Sequence, residues 1–264
     1  MKAQNVLKLL FGMQLSFILI AYSDQENVPD PNPMQRRPDS FYEYSSTHLK
    51  FFYTSIDSNS IQAIARYVEA NCERILIDLK PDSLSTISIY LYPVLKDVHQ
   101  AIDWFDAPNW VGGSATGINE IRMISPNSID LDASISYNFM LTCIVHEFVH
   151  CVSMHVNQTI VNKPRWLWEA VALYESAHFV DPKTLSYLKK GKPPSIGDLN
   201  NINDTRIYDV GYTIMAFIIG NWGIEAVREL IRSNGDLVNT LHMNDMEFLE
   251  NWYNFIFKKY LYKI

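Results

Sequence analysis

The segment that most limits what this 264-residue chain can fold into is His146-Glu147-Phe148-Val149-His150. It sits between apolar flanks, Tyr137 to Val145 and Cys151 to Met154, so the pattern predicts a buried helix from about Ser136 to Met154. Residues four apart on a helix share one face, one turn apart. His146 and His150 can therefore offer imidazole nitrogens to one ion, while Glu147 projects about 100° away, beside the ion and not onto it. That places Glu147 to take a proton from a metal-bound water. A catalytic zinc site uses three protein ligands and keeps a fourth position open. Glu169, in Trp166-Leu167-Trp168-Glu169, follows His150 by nineteen positions on a second predicted helix, about Arg165 to Ala177. A short reversing connection, Val156 to Lys163, separates the two helices, which makes Glu169 the expected third ligand.

The rest of the chain reads as a framework for that pair of helices. Lys2 and Lys8, an apolar run from Leu9 to Ile20 and the small residues of Ala21-Tyr22-Ser23 form a secretory signal pattern over 1–23. Asp24 to Ser40, with Pro29, Pro31, Pro33 and Pro38, reads as an extended linker, and the folded domain is expected over 41–264. After the N-terminal run, no segment reads as long and apolar enough to span a bilayer. Strands are predicted at His48–Thr54, Thr86–Tyr92 and Glu120–Ser125, and Trp110–Ser114 reads as a Gly-rich turn. A helix capped by Asp57 or Ser58 is expected to run to Leu79, and a short one spans about 96–105. Helices at about Arg206–Asn221, Ile224–Arg232 and Asp245–Tyr262 complete the chain. Mixed strands and helices followed by helices alone predict an α+β fold, with an N-terminal mixed-sheet lobe and a C-terminal helical lobe around a cleft.

Composition removes several classes. Lys+Arg 22 against Asp+Glu 29 gives a net charge of −7, so there is no broad basic face for nucleic acid. With 48% hydrophobic and 19% charged residues the chain is not disordered. Three cysteines are too few for a disulfide scaffold. Cys143 and Cys151 are separated by about 12 Å along one helix, too far to bond to each other, and either can meet Cys72 only if the fold brings them together; three buried or free thiols are the expectation. His155 and His178 fall on faces opposite His146 and Glu169, and His48, His99 and His242 read as surface residues. Asn157-Gln158-Thr159 and Asn203-Asp204-Thr205 fit the glycosylation pattern.

H-E-x-x-H, eighteen residues, then Glu within Trp-Leu-x-Glu resembles the gluzincin zinc peptidases, most of all the aminopeptidase-N relatives and the compact extracytoplasmic peptidase MA-like proteins. Tyr208-Asp209-Val210-Gly211-Tyr212 is similar to the family's Tyr-x-x-Gly-aromatic segment, and Glu120–Ser125 looks like its substrate-binding edge strand. Glu247 to Trp252 resembles the terminal helix of the MA-like proteins. Ala170 stands where the family usually has Gly, and the Gly-x-Met-Glu-Asn segment that reads a free N-terminus is missing. The resemblance implies a zincin-like fold and Zn²⁺ held by His146, His150 and Glu169. It further implies Glu147 as general base, Tyr208 as oxyanion donor with Tyr212 the nearest competitor, and a peptide or protein substrate. The expected protein is an extracytoplasmic metallopeptidase, with no stable membrane span after signal cleavage. The competing expectation is an inactive gluzincin-fold binding or scaffold protein.

Overall fold

The computed structural model describes residues 41–262, so the signal-peptide and linker readings lie outside the described residues. The chain forms two compact units. One holds 41–73 and 85–151, the other 74–84 and 152–262.

The first unit is built on one five-stranded sheet. Its strands are β1 (Tyr42–Ser45), β2 (Leu49–Tyr53), β3 (Ile87–Tyr92), β4 (Gly113–Gly117) and β5 (Glu120–Ile124), in spatial order β1-β2-β3-β5-β4. β2, β3 and β5 run parallel, in the register Leu49↔Ile87 and Ile89↔Ile121, while β1 and β4 are antiparallel edges. A parallel pair needs a crossover, and helix α1 (Ile61–Leu79) supplies it between β2 and β3. The predicted stripe of α1 (Ile61, Ile64, Ala65, Val68, Cys72, Ile75, Leu79) is buried throughout. Lys80, at φ 47°, ends the helix just before Pro81. Asp57 does not cap it. Its buried carboxylate instead accepts hydrogen bonds from Ser125 Oγ and Asn127 Nδ2, in a 3-10 turn at Ser55–Asp57.

Two strand readings are corrected. β5 was expected at the sheet edge, but it lies between β3 and β4, and β4 is the edge. The sequence of β4, Gly-Ser-Ala-Thr-Gly, looks like a turn because its residues are small and poor strand formers. Gly113 is there for another reason: a Cβ at that position would meet Met123 Cβ at 2.3 Å, so the two backbones can approach only without one. β1 was also missed. It is short and mostly exposed, so no apolar alternation marks it.

Helices α2 (Leu95–Ala101) and α3 (Tyr137–Val156) follow β3 and β5, and α3 carries the H-E-x-x-H residues. Contrary to the sequence reading, α3 is long and apolar enough to cross a membrane, but most of it is buried inside the protein. Among the described residues that is how a core helix also reads, since being apolar all round follows from being buried all round.

The second unit is helical. It holds α4 (Arg165–Glu175), α5 (Ser186–Lys189), α6 (Ile196–Asn200), α7 (Arg206–Trp222), α8 (Ile224–Arg232), α9 (Leu237–Leu241) and α10 (Asp245–Ile256). The last helix ends sooner than the expected Tyr262 and passes into a wider π turn, Phe257–Leu261. Gly223, at φ 78°, separates α7 from α8, which are bent by 114° to each other. α4 and α7 pack closely because α7 has Gly211 at the contact. A Cβ there would meet Leu173 Cδ1 at 2.6 Å and Ala170 Cα at 3.0 Å. The short helices α5, α6 and α9 were not expected; four or five residues carry too little periodicity to be read.

Candidate metal centre

The H-E-x-x-H residues lie on one buried helix, α3. His146 and His150 are fully buried, and their rings meet edge-on with centroids 4.6 Å apart. Burial, together with the neighbouring His146, holds the His150 imidazole well below its ordinary pKa, so it is neutral at neutral pH. The neutral ring is the form that ligates a metal. Glu147, 1% exposed, turns its carboxylate to the sheet edge, where the Ala115 N–H of β4 donates to its Oε2 at 2.7 Å. An edge strand leaves alternate N–H groups outside the ladder, and one of these fixes the carboxylate. One turn on, the Cys151 thiol donates to the Gly117 carbonyl at 3.5 Å. α3 is therefore tied to β4 by a backbone contact at each end of the His-bearing turn.

Glu169 lies on α4 and is 2% exposed, so the carboxylate expected as third ligand is buried and not at the surface. His146 and His150 belong to the first unit and Glu169 to the second. Two imidazoles and a carboxylate, all buried, are a donor set that suits a divalent ion of the zinc class. His155 and His178 belong to neither of the two potential metal-binding groups among the described residues.

Tyr208 occupies the first turn of α7 and is buried. The Arg165 guanidinium lies over its ring, 5.4 Å from the centroid, and donates through Nη1 to the carbonyls of Leu199, Asn201 and Asp204. Tyr212, the competing tyrosine, is packed against Tyr174 and Phe179 at centroid distances of 5.0 and 5.3 Å. Glu120, at the start of β5, accepts from Arg122 Nε and Thr116 Oγ1 at 2.7 and 2.8 Å.

Other readings need adjusting. His99 is buried, not superficial, and its Nε2 sits 3.0 Å from the Val111 carbonyl. His48 is half-buried beside Glu69, while His242 is exposed. Cys72, Cys143 and Cys151 are all free and buried, as expected. Sequence reasoning missed Ala115 and Arg165. Ala115 acts through its backbone alone and leaves no residue-type signal. Arg165 would have been visible only as a charge inside an otherwise apolar helix start, Pro164-Arg165-Trp166-Leu167. No family model, curated protein or solved structure matches the chain.

Proposed function

We propose that this chain is an exported, zinc-dependent metallopeptidase of zincin-like, gluzincin type that hydrolyses peptide bonds in a peptide or protein substrate. The observation that carries the reading is the α3 turn, with two buried imidazoles side by side and Glu147 next to them, its carboxylate fixed by an edge-strand N–H. Glu169, a buried carboxylate nineteen positions after His150, is assigned as the third protein ligand beside His146 and His150. His146, His150 and Glu169 would hold a divalent ion, which would supply Lewis acidity toward the scissile carbonyl and lower the pKa of a water toward neutral. Glu147 accepts the proton that water gives up and returns it to the departing amine. Tyr208 donates its phenolic hydrogen to the carbonyl oxygen as charge develops there. It is preferred over Tyr212, whose ring is committed to an aromatic cluster. The edge strand β4 offers main-chain groups to an extended substrate. The Gly-x-Met-Glu-Asn segment that reads a free N-terminus is missing from the sequence, which favours cleavage within a chain over trimming of a free N-terminus.

The test uses the full chain with its metal content measured by mass spectrometry, against a mixed peptide library. The wild type should hold zinc and cleave internal bonds. Glu147→Gln should still hold zinc but turn over about 10²–10⁴-fold more slowly, the usual worth of a general base. Absence of zinc, or equal turnover by both proteins, overturns the reading. Zinc without hydrolysis by the wild type would instead identify an inactive binding protein of the same fold. N-terminal sequencing of the exported protein tests the signal.

A further inference from the structure

A second group of ligand atoms lies elsewhere in the first unit, at the turn joining β1 to β2. Ser46 N–H donates to Leu49 O at 2.9 Å, which closes that turn, and the Ile87 N–H, donating to His48 O at 3.0 Å, ties it to β3. His48 at the turn faces α1, where Glu69 and Cys72 stand three apart on one side of the helix. His48, Glu69 and Cys72 each offer one ligand atom, all within 4.8 Å of one another.

We propose that His48, Glu69 and Cys72 form a structural binding site for a thiophilic divalent metal of the zinc class, pinning the β1–β2 turn to α1. Three features of the surroundings support it. First, the carboxylate is oriented by groups other than the ligand atoms: Ser46 Oγ donates to Glu69 Oε2 at 2.8 Å and the His48 backbone N–H to Oε1 at 3.1 Å. Metal-binding carboxylates are commonly held by such neighbours. Second, the donors are one nitrogen, one oxygen and one sulfur. That mixture suits zinc or cobalt and is wrong for magnesium or calcium, which take oxygen alone. Third, the group is closed on the inside and open on the outside. Cys72 is fully buried, while the His48 and Glu69 side chains are 33% and 22% exposed, leaving a path for the ion and room for a water as fourth ligand.

Without a cation, burial and the nearby Glu69 push the Cys72 thiol well above its ordinary pKa, so it stays protonated and donates weakly to Val68 O at 3.4 Å. A bound divalent ion reverses that preference, because a coordinating thiol gives up its proton. The His48 ring and Glu69 carboxylate touch directly, and the half-exposed ring swings aside as the ion enters between them. The balance is simple. The metal–sulfur, metal–nitrogen and metal–oxygen bonds form, and the Cys72 proton leaves to solvent.

The experiment titrates the metal-free full chain with Co²⁺ and then Zn²⁺, under reducing conditions. A sulfur-to-cobalt charge-transfer band should grow in the near ultraviolet and saturate. It should persist in His146→Ala/His150→Ala, which lacks the α3 ligands, and vanish in Cys72→Ser and in His48→Ala. Zinc should displace the cobalt, and the α3 double variant should retain a single bound zinc. Failure of the peptidase reading leaves all of these results unchanged, because none depends on hydrolysis or on α3. No band in the wild type overturns the proposal. So does a band that survives in Cys72→Ser, which would point to Cys143 or Cys151. Circular dichroism of each variant identifies one that has not folded. Half-exposed His48 is the mildest of the changes, so a folded His48→Ala variant that keeps the band overturns the proposal by itself.

Discussion

Glu175 ends α4 with its side chain 1% exposed and the Arg74 guanidinium against it. Burial outweighs the charge of Arg74 and raises the Glu175 carboxyl to about 7. In the unfolded chain it returns to its ordinary value near 4.5. Below that value both states hold the proton and pH has no leverage. As pH rises from there toward 7 the unfolded chain releases its proton first, so the folded state loses relative stability; above 7 the loss is complete. Glu175→Gln removes this dependence. Urea midpoints should show the wild type losing on the order of 3 kcal/mol against the variant between pH 4.5 and 7.5, and a constant difference would refute it. Arg165 supplies a second prediction. Its Nη1 alone serves three carbonyls while the guanidinium plane lies over the Tyr208 ring; a lysine ammonium stops about one bond short of Nη1 and has no plane to lay on that ring. Arg165→Lys should cost about 1–3 kcal/mol by urea unfolding, as expected when buried acceptors lose a charged donor. The two histidines could be read from the sequence because spacing alone puts them together. Arg165 could not, since its partners are carbonyls 34 to 39 residues away and carbonyls look alike in every sequence.

At the scale of elements, the long helices and the three parallel strands could be read because their apolar periods are long enough to count. β4 could not. Its place at the sheet edge depends on a glycine that permits close approach to Met123, and a glycine in sequence reads as a turn. The same ambiguity applies to Gly211, which the sequence presents as part of a motif and the fold uses as a contact between α4 and α7. Gly211→Ala has helix propensity in its favour, yet its methyl would press on Leu173 and the Ala170 backbone. Overpacking should win, with a net loss of about 1–3 kcal/mol by urea unfolding. A gain in stability would mean that Leu173 moves aside freely. Asn157 shows how a connection is held. Its amide donates to Ile231 O and to Asn234 Oδ1 at 2.8 and 3.0 Å, and its carbonyl accepts from Thr159 N–H. Its sequence pattern suggests a glycosylation site, but the nitrogen is already engaged. Asn203, exposed, is the accessible one of the two. Peptide mapping of protein from a glycosylating host should find sugar on Asn203 and none on Asn157.

At the scale of the molecule, the proposed function makes stability depend on metal. An ion that binds the folded chain and not the unfolded one raises stability by about 2.7 kcal/mol when present at a hundred times its Kd. Chelation should therefore lower the urea midpoint of the wild type, and adding zinc should restore it. No shift would argue against an ion at either potential metal-binding group. The mixed α+β class was legible from the order of elements alone. The burial of α3 has a further consequence, for handling the protein. Once unfolded, the chain exposes twenty residues apolar enough to pass for a membrane segment. Such a stretch associates between molecules faster than it finds its own partners again. Heating should end in aggregates, and the apparent melting point should drift with scan rate. The free energies forecast above are therefore best sought in urea, which keeps that segment dissolved while the equilibrium is read.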